Sequence, residues 1–167
     1  MAATVESLVS SLGLLPHPEG GYYRETYRSS EHIPANALPA RFGGDRLFST
    51  AIYYLLGPGD FSAFHRIKSD ETWHFHAGST LHIHVIDKAG AYRKIRLGSD
   101  YLQGETFQAT VMAGEWFAAE PADEQGFSFA GCTVAPGFDF RDFEMAKAEE
   151  LLAAYPDHAA LISKRCR

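Results

Sequence analysis

Apolar and polar residues alternate in short runs along most of the chain, from Leu47 to Pro136. Each run is rich in β-branched or aromatic residues, and a short polar or glycine-containing segment separates it from the next. Such runs favour strands, because a strand places successive side chains on opposite faces of a sheet. The runs are LFSTAIYYLL, FSAFHRI, ETWHFHA, TLHIHVID, AYRKIRLG, ETFQATVM, EWFAAE and GFSFAGCTVA. Eight short strands without helical patterns between them predict an antiparallel sandwich or a small barrel.

Helical spacing of apolar residues occurs near the two ends of the chain. For the first helix, Thr4 is the predicted N-cap and Gly13 the predicted end. For the second helix, Asp142 is the predicted N-cap and Pro156 the predicted end. The apolar positions are Val5, Leu8, Val9 and Leu12 in the first helix, and Ala148, Leu151, Leu152 and Tyr155 in the second. The polar segment 31–46 reads as a surface loop. Residues 1–167 are therefore predicted to form one mainly all-β domain with a short helix at each end.

Composition and charge narrow the range of partners. The 167 residues carry a formal net charge of −6, and no cluster of Lys and Arg offsets it. This balance disfavours nucleic acid and anionic membrane surfaces, so we expect a small-molecule ligand. The N-terminus lacks a basic, apolar signal sequence and no stretch reaches transmembrane length, which predicts a cytoplasmic protein. The two cysteines, Cys132 and Cys166, are expected to be reduced and structural.

Histidines cluster in one part of the sequence, since five of the eight lie between positions 65 and 84. In the segment FHRIKSDETWHFHAG, strand alternation puts Glu71 and Trp73 on one face and His74 and His76 on the other. If the hairpin turns His65 and Glu71 inward, His74 and His76 face outward. The five histidines therefore cannot form a single site.

The same segment resembles the first sequence motif of the cupins, which are small jelly-roll β-barrels. Gly59, His65, Glu71 and Gly78 fall on the spacing of that motif, and Ile67 stands where its second histidine belongs. The second cupin motif is similar to MAGEWF, in which Met112 replaces a proline, Gly114 is retained and Phe117 replaces a histidine. Two of the four metal ligands usual in cupins are absent, so we predict neither a metal site nor a cofactor.

A wider resemblance covers nearly the whole chain. The segments that carry it are GLLPHPEGGYYRETYRS, SAFHRIKSDETWHFHAGSTLHIH, GCTVAPGFDFRDF and YPDH. Together they look like one cupin subfamily, known as domain of unknown function 985. The resemblance implies a double-stranded β-helix, or jelly-roll, that forms a homodimer with an open pocket, similar in shape to sugar-nucleotide epimerases and seed-storage proteins. It implies no established reaction.

His65 and Glu71 are the candidate catalytic residues, as a proton-transfer pair in the barrel pocket. A neighbouring carboxylate raises the pKa of a histidine, which suits a base working near neutrality. The alternative is a buried hydrogen-bonded pair that only orders the core. Five further residues are candidates for substrate binding because they are polar or aromatic within predicted strands: Tyr54, Trp73, Gln108, Trp116 and Arg24.

Three functions fit these residues. The first is a metal-independent epimerase or isomerase acting on a sugar-like or acidic metabolite, with His65 as base and Glu71 orienting it. The second is a protein that binds a carbohydrate or similar small ligand without turnover. The third is a metal-dependent cupin oxygenase or isomerase, which Ile67 and Phe117 disfavour.

Overall fold

The computed structural model describes residues 3–167 and confirms the mainly β architecture with short terminal helices. The helices are α1 Val5–Leu12, α2 Ala148–Ala154 and α3 Ala159–Arg165. The strands are β1 Leu15–Pro16, β2 Tyr22–Arg28, β3 His32–Ile33, β4 Arg46–Leu47, β5 Thr50–Leu56, β6 Ser62–Arg66, β7 Asp70–Gly78, β8 Leu81–Ile86, β9 Tyr92–Leu97, β10 Gln108–Val111, β11 Trp116–Pro121, β12 Ser128–Ala135 and β13 Glu144–Met145. Within residues 3–167, no helix is long and apolar enough to cross a membrane.

Two antiparallel sheets face each other and form the barrel. The larger sheet has the strand order β1-β2-β5-β12-β7-β10, and the smaller one β13-β6-β11-β8-β9. The main core lies between them, where Trp73 of the larger sheet meets Phe117 of the smaller one edge to face at 6.4 Å. The alternation predicted for β7 is confirmed, because Glu71 and Trp73 are buried while His74 is half-buried and His76 exposed.

The N-terminal helix forms as predicted and covers the outer face of the larger sheet. Thr4 caps it through a reciprocal pair of hydrogen bonds with Ser7, and Gly13 ends it in the left-handed conformation with φ 61°. Its apolar face packs beside Leu55 and Phe129 in a cluster separate from the main core. Burial of this face, rather than the propensity of eight residues alone, stabilises so short a helix.

The predicted C-terminal helix ends before Pro156 as expected, but it starts later and a further helix follows it. Asp142 does not cap a helix, because its carboxylate is buried and accepts two hydrogen bonds of 2.6 Å from Arg46. The helix α2 instead begins after Lys147, and the chain continues past Pro156 into α3. These two helices pack on the outer face of the smaller sheet, over Trp116 and Ile86. Although Asp142 precedes an apolar helical pattern, its carboxylate binds Arg46 and does not cap the helix.

Candidate functional site

A cavity of about 540 Å³ lies between the two sheets, and two histidines and two glutamates line its enclosed part. His65 enters it from β6 of the smaller sheet, and Glu71 enters from β7 of the larger sheet. His17 and Glu19 reach the same cavity from the turn between β1 and β2. All four side chains are almost completely enclosed. The cavity therefore holds titratable groups in low-dielectric surroundings, which is where pKa values shift most.

The carboxyl group bound to His65 is Glu19, not Glu71. His65 Nε2 lies 3.0 Å from Glu19 Oε2, and His65 Nδ1 lies 2.7 Å from the Ala63 carbonyl oxygen. Both ring nitrogens are thus occupied, and Glu71 stands apart on the opposite sheet beside Cys132. A carbonyl oxygen can only accept a hydrogen bond, so Nδ1 carries a proton and Nε2 faces the Glu19 carboxyl group. The predicted histidine and carboxylate share the cavity, but they are not a hydrogen-bonded pair.

Glycines of the turn between β1 and β2 bring Glu19 into the barrel. Gly20 and Gly21 have φ values of 119° and 69°, which side chains rarely adopt. A Cβ on Gly20 would also lie 2.2 Å from the Phe61 carbonyl oxygen. Two hydrogen bonds then fix the turn against the barrel, from Ala63 N–H to the Glu19 carbonyl and from the Tyr54 hydroxyl to the Gly20 carbonyl. The turn can approach this closely only because it has no side chain at these two positions.

Burial pushes the pKa values of the histidine and the carboxyls in opposite directions. Desolvation lowers the pKa of His65 to about 4 against a smaller opposing effect of its bond to Ala63. Desolvation, followed by the nearby Glu19 carboxyl, raises the pKa of Glu71 to about 8. The pKa of Glu19 is raised too, again mainly by burial. Near neutral pH the cavity therefore presents a neutral imidazole and a protonated Glu71 on facing sheets.

The candidate binding residues are distributed differently from the prediction. Tyr54 and Trp73 are buried in the main core, 5.5 Å apart edge to face, where they support the wall behind the cavity. Arg24 borders the cavity, but its guanidinium group donates to the Leu12 carbonyl at the end of α1. Gln108 is exposed opposite His74, on the outer face of the larger sheet. Trp116 lies under α2 and α3. The placement of Gln108 and Trp116 in the pocket was therefore wrong.

Aromatic residues after β12 form part of the cavity wall, and we call Phe138, Phe140 and Phe143 the aromatic lip. All three line the cavity, and Phe140 is the exposed member, with about half of its surface accessible. The buried ion pair between Arg46 and Asp142 ties this segment to β4. Moving the lip away from β4 would leave both charges buried without a partner, which opposes its displacement.

The outward histidines make other contacts. His74 Nε2 lies 3.1 Å from the Thr133 hydroxyl oxygen on the neighbouring strand. On the smaller sheet, His84 contacts the Tyr92 hydroxyl at 2.9 Å and the Glu120 carboxylate at 3.0 Å. These histidines lie outside the cavity and add nothing to its set of acids and bases.

The cavity does not offer the ligand set of a metal-binding cupin. Ile67 and Phe117 are buried hydrocarbons, and the Phe117 ring centroid lies 4.0 Å from that of His65. Between residues 3 and 167, no group of three His, Cys, Asp or Glu residues is arranged to hold a metal ion. Specific transition-metal sites need three or four converging nitrogen, oxygen or sulfur ligands. The residues present therefore do not fit a resident metal.

The fold and the cavity define a class of protein: a small antiparallel β-barrel with a cavity between its sheets. Residues 6–146 match the family described as Cupin superfamily (DUF985), and the chain belongs to this family. An uncharacterized protein of Saccharomyces cerevisiae, YML079W, is 31% identical over an alignment that covers 90% of this chain and 79% of the yeast protein. The resemblance of the sequence to this cupin subfamily is thereby confirmed.

Two solved structures are similar to this protein over nearly the whole chain. Protein SO0799 from Shewanella oneidensis is 39% identical with a TM-score of 0.89, over 99% of both chains. A hypothetical protein from Leishmania major is 37% identical with a TM-score of 0.88, over 98% of this chain and 99% of its own. Oxalate decarboxylase from Bacillus subtilis is 16% identical with a TM-score of 0.55, over 90% of this chain and 36% of its own. That last likeness supports the fold alone.

His17 and Glu19 were not among the site residues predicted from the sequence. They lie in the segment HPEGGYY, which carries part of the resemblance to the family, but the polar residues before its glycines were not considered as cavity groups. The available signal was the pattern His-x-Glu directly before two consecutive glycines. Paired glycines often mark a close approach of the backbone to another part of the protein, and residues beside such an approach become buried.

Proposed function

We propose that the cavity binds a small, uncharged, sugar-like carbonyl compound and transfers a proton at the carbon next to the carbonyl group, as an epimerase or isomerase does. One observation carries this proposal. A neutral His65, paired with Glu19, lies on one side of the cavity, and a protonated Glu71 lies on the facing side. When the surroundings of two titratable groups shift their pKa values apart, one group can act as an acid and the other as a base at the same pH.

The Glu19–His65 pair acts as the base. The pair holds one proton between Glu19 Oε2 and His65 Nε2. When the Glu19 carboxyl group takes a second proton from the substrate carbon, the shared proton moves fully onto Nε2 and the pair becomes positively charged. The electron pair of the broken C–H bond is delocalised onto the carbonyl oxygen and gives an enolate. The positive charge of the Glu19–His65 pair balances the negative charge of this enolate. Protonated Glu71 then returns a proton to the carbon from the facing sheet. Delivery to the opposite face of the carbon inverts its configuration.

The walls of the cavity favour an uncharged ligand over an acidic one. Of the arginines near its mouth, Arg28 is paired with Glu25 and Arg141 with Asp139, while the exposed Arg24 donates to the Leu12 carbonyl at the end of α1. An anion in the enclosed part of the cavity would lie beside two buried carboxyl groups, which do not offset its desolvation. The aromatic lip and Tyr23 instead offer flat apolar surfaces, which suit the carbon face of a sugar-like molecule.

A homodimer is also part of the proposal. Tyr101, Leu102 and Phe107 expose more than half of their surface near the edge strand β10. An exposed apolar cluster beside a sheet edge is the kind of surface that a second subunit covers.

The test of function uses uncharged sugars beside their phosphate esters. D-glucose, D-fructose and D-xylose are first screened by thermal shift, since a ligand that binds the folded state raises its melting temperature. Each sugar that binds is then incubated with the protein in D2O at pH 6, and exchange at the carbon next to the carbonyl is followed by proton NMR.

We expect exchange that falls at least about tenfold in Glu19→Gln and Glu71→Gln and is unchanged in Glu124→Gln, which alters an exposed carboxyl group. Binding without exchange would contradict proton transfer and indicate a binding protein. A shift seen only with the phosphate esters would contradict an uncharged ligand.

A further inference from the structure

His17 is held in the cavity wall by aromatic rings on several sides. Its ring packs edge to face against Tyr23 at 4.6 Å and Tyr54 at 5.8 Å. On the side of the aromatic lip it lies 6.4 Å from Phe140 and 6.3 Å from Phe143. Only 7% of the side chain is accessible. A ring enclosed in this way has little freedom to rotate, so the directions of its two nitrogens are set by the fold.

The backbone fixes which of these nitrogens carries the proton. The Glu19 N–H group donates to His17 Nδ1 at 3.2 Å, so Nδ1 must be the acceptor of the ring. The turn that holds this N–H is itself closed by His17 N–H to the Gly21 carbonyl and Gly20 N–H to the His17 carbonyl. In a neutral imidazole the proton then lies on Nε2.

The nearby Glu19 carboxyl group does not displace this arrangement. Its Oε2 lies 3.7 Å from His17 Nδ1, too far for a hydrogen bond, and the same oxygen is bound to His65. Desolvation lowers the pKa of His17 more than Glu19 raises it, so the ring is neutral at pH 7. Across residues 3–167, no protein group accepts a hydrogen bond from Nε2, and the ring lines the cavity.

We propose that His17 Nε2–H is a fixed hydrogen-bond donor for the carbonyl oxygen of the ligand, and this rests on the proposed function of the cavity. A neutral imidazole suits this role because it donates without adding a positive charge to the apolar cavity. As the neighbouring carbon loses its proton, negative charge develops on the carbonyl oxygen. A donor already aimed at that oxygen stabilises the charge without having to reorganise. Neutral histidine donors of this kind are known in other enzymes that remove a proton next to a carbonyl.

The first test needs no variant and no activity. Nitrogen-15 NMR of the histidine rings at pH 7 distinguishes the two neutral tautomers and the charged ring. We expect His17 as the neutral tautomer with its proton on Nε2. A proton on Nδ1 or a doubly protonated ring at pH 7 overturns the proposal.

The second test compares two probes that differ in one carbonyl group, dihydroxyacetone and glycerol. Dihydroxyacetone should shift the His17 Nε2 resonance, whereas glycerol at the same concentration should shift it far less. The exposed His32 serves as the internal control, and neither probe should move it. Equal shifts with both probes, or no shift with dihydroxyacetone, overturn the proposal.

The third test separates this assignment from the proposed function. Exchange of the dihydroxyacetone C–H groups with D2O is measured in wild type, His17→Leu and His17→Gln. Leucine fills the space without a donor, so exchange should fall at least about tenfold, and glutamine should restore part of it through its amide N–H. Undiminished exchange in His17→Leu removes His17 from the reaction and leaves the proton-transfer function intact. A probe-specific shift at Nε2 without exchange in wild type keeps the donor and rejects proton transfer.

Discussion

Replacing Glu71 by glutamine should stabilise the protein, and the gain should grow with pH. The folded chain keeps a proton on Glu71 until about pH 8, whereas the ordinary pKa of this carboxyl in an unfolded chain is 4.5. Between these two values the folded state binds more protons than the unfolded state. Stability therefore falls as the pH rises through this window.

The magnitude follows from the width of the window. One pKa unit corresponds to about 1.4 kcal/mol. At pH 7 the buried carboxyl should thus cost about 3 kcal/mol relative to a group that never ionises. Glutamine has nearly the same shape and stays neutral, so Glu71→Gln should match wild type near pH 4.5 and exceed it by about that amount at pH 7. The histidine titrations are shared by both proteins and cancel in the difference.

Urea unfolding at several pH values between 4.5 and 8 measures the difference directly. Glu124→Gln, which changes an exposed carboxyl group, is the matched control and should show no dependence on pH relative to wild type. A difference between Glu71→Gln and wild type that is flat across the range, or that declines with pH, would refute the argument that burial keeps Glu71 protonated.

Four further predictions follow from the site. His65→Asn should lower the free energy of unfolding by about 2–3 kcal/mol, because the buried Glu19 carboxyl loses its partner, and should also lower proton exchange at least tenfold; a change in neither would contradict the pair. Exchange should be fastest between about pH 4 and pH 8, since it is lost below as His65 becomes protonated and above as Glu71 ionises, and a rate that keeps rising beyond pH 9 would contradict these roles. Light scattering should give about twice the chain mass of 18.4 kDa, and a monomer at micromolar concentration would contradict the dimer. Elemental analysis of protein prepared without a nickel column should find no stoichiometric transition metal, because Ile67 and Phe117 cannot ligate one; one ion per chain, lost in His65→Ala, would contradict this.

Alternation along the chain was sufficient to predict an antiparallel β architecture, and it also gave the correct face for Glu71. It could not give the correct face for Trp116. Trp116 and Phe117 are neighbours on β11 and therefore point to opposite sides of the sheet, but both sides are buried. The barrel core covers one side and the C-terminal helices cover the other. Alternation identifies the core face only when the other face is exposed to water.

The spacing of residues in the sequence could not predict the partner of His65, for a different reason. Glu71 is close to His65 in sequence, but the two strands belong to facing sheets. Glu19 is distant in sequence, and a turn without side chains carries it to within 3.0 Å of His65 Nε2. Its position depends on how that turn packs against the barrel, which is a tertiary contact and not a local pattern. Gln108 was misplaced because its face is set by its pairing with His74 across the sheet.

The barrel core and the cluster beneath the C-terminal helices each contain one tryptophan, so each has its own fluorescent reporter. Trp73 lies in the barrel core behind the cavity, and Trp116 lies beneath the C-terminal helices with the Arg66 guanidinium group 4.4 Å from its ring. Since the chain has two tryptophans, replacing one by phenylalanine assigns the remaining fluorescence to a single region. Emission from Trp73 then follows the closing of the barrel, and emission from Trp116 follows the docking of α2 and α3. Whether the terminal helices detach before the barrel opens can thus be read from the intrinsic fluorescence of the protein, without an added dye.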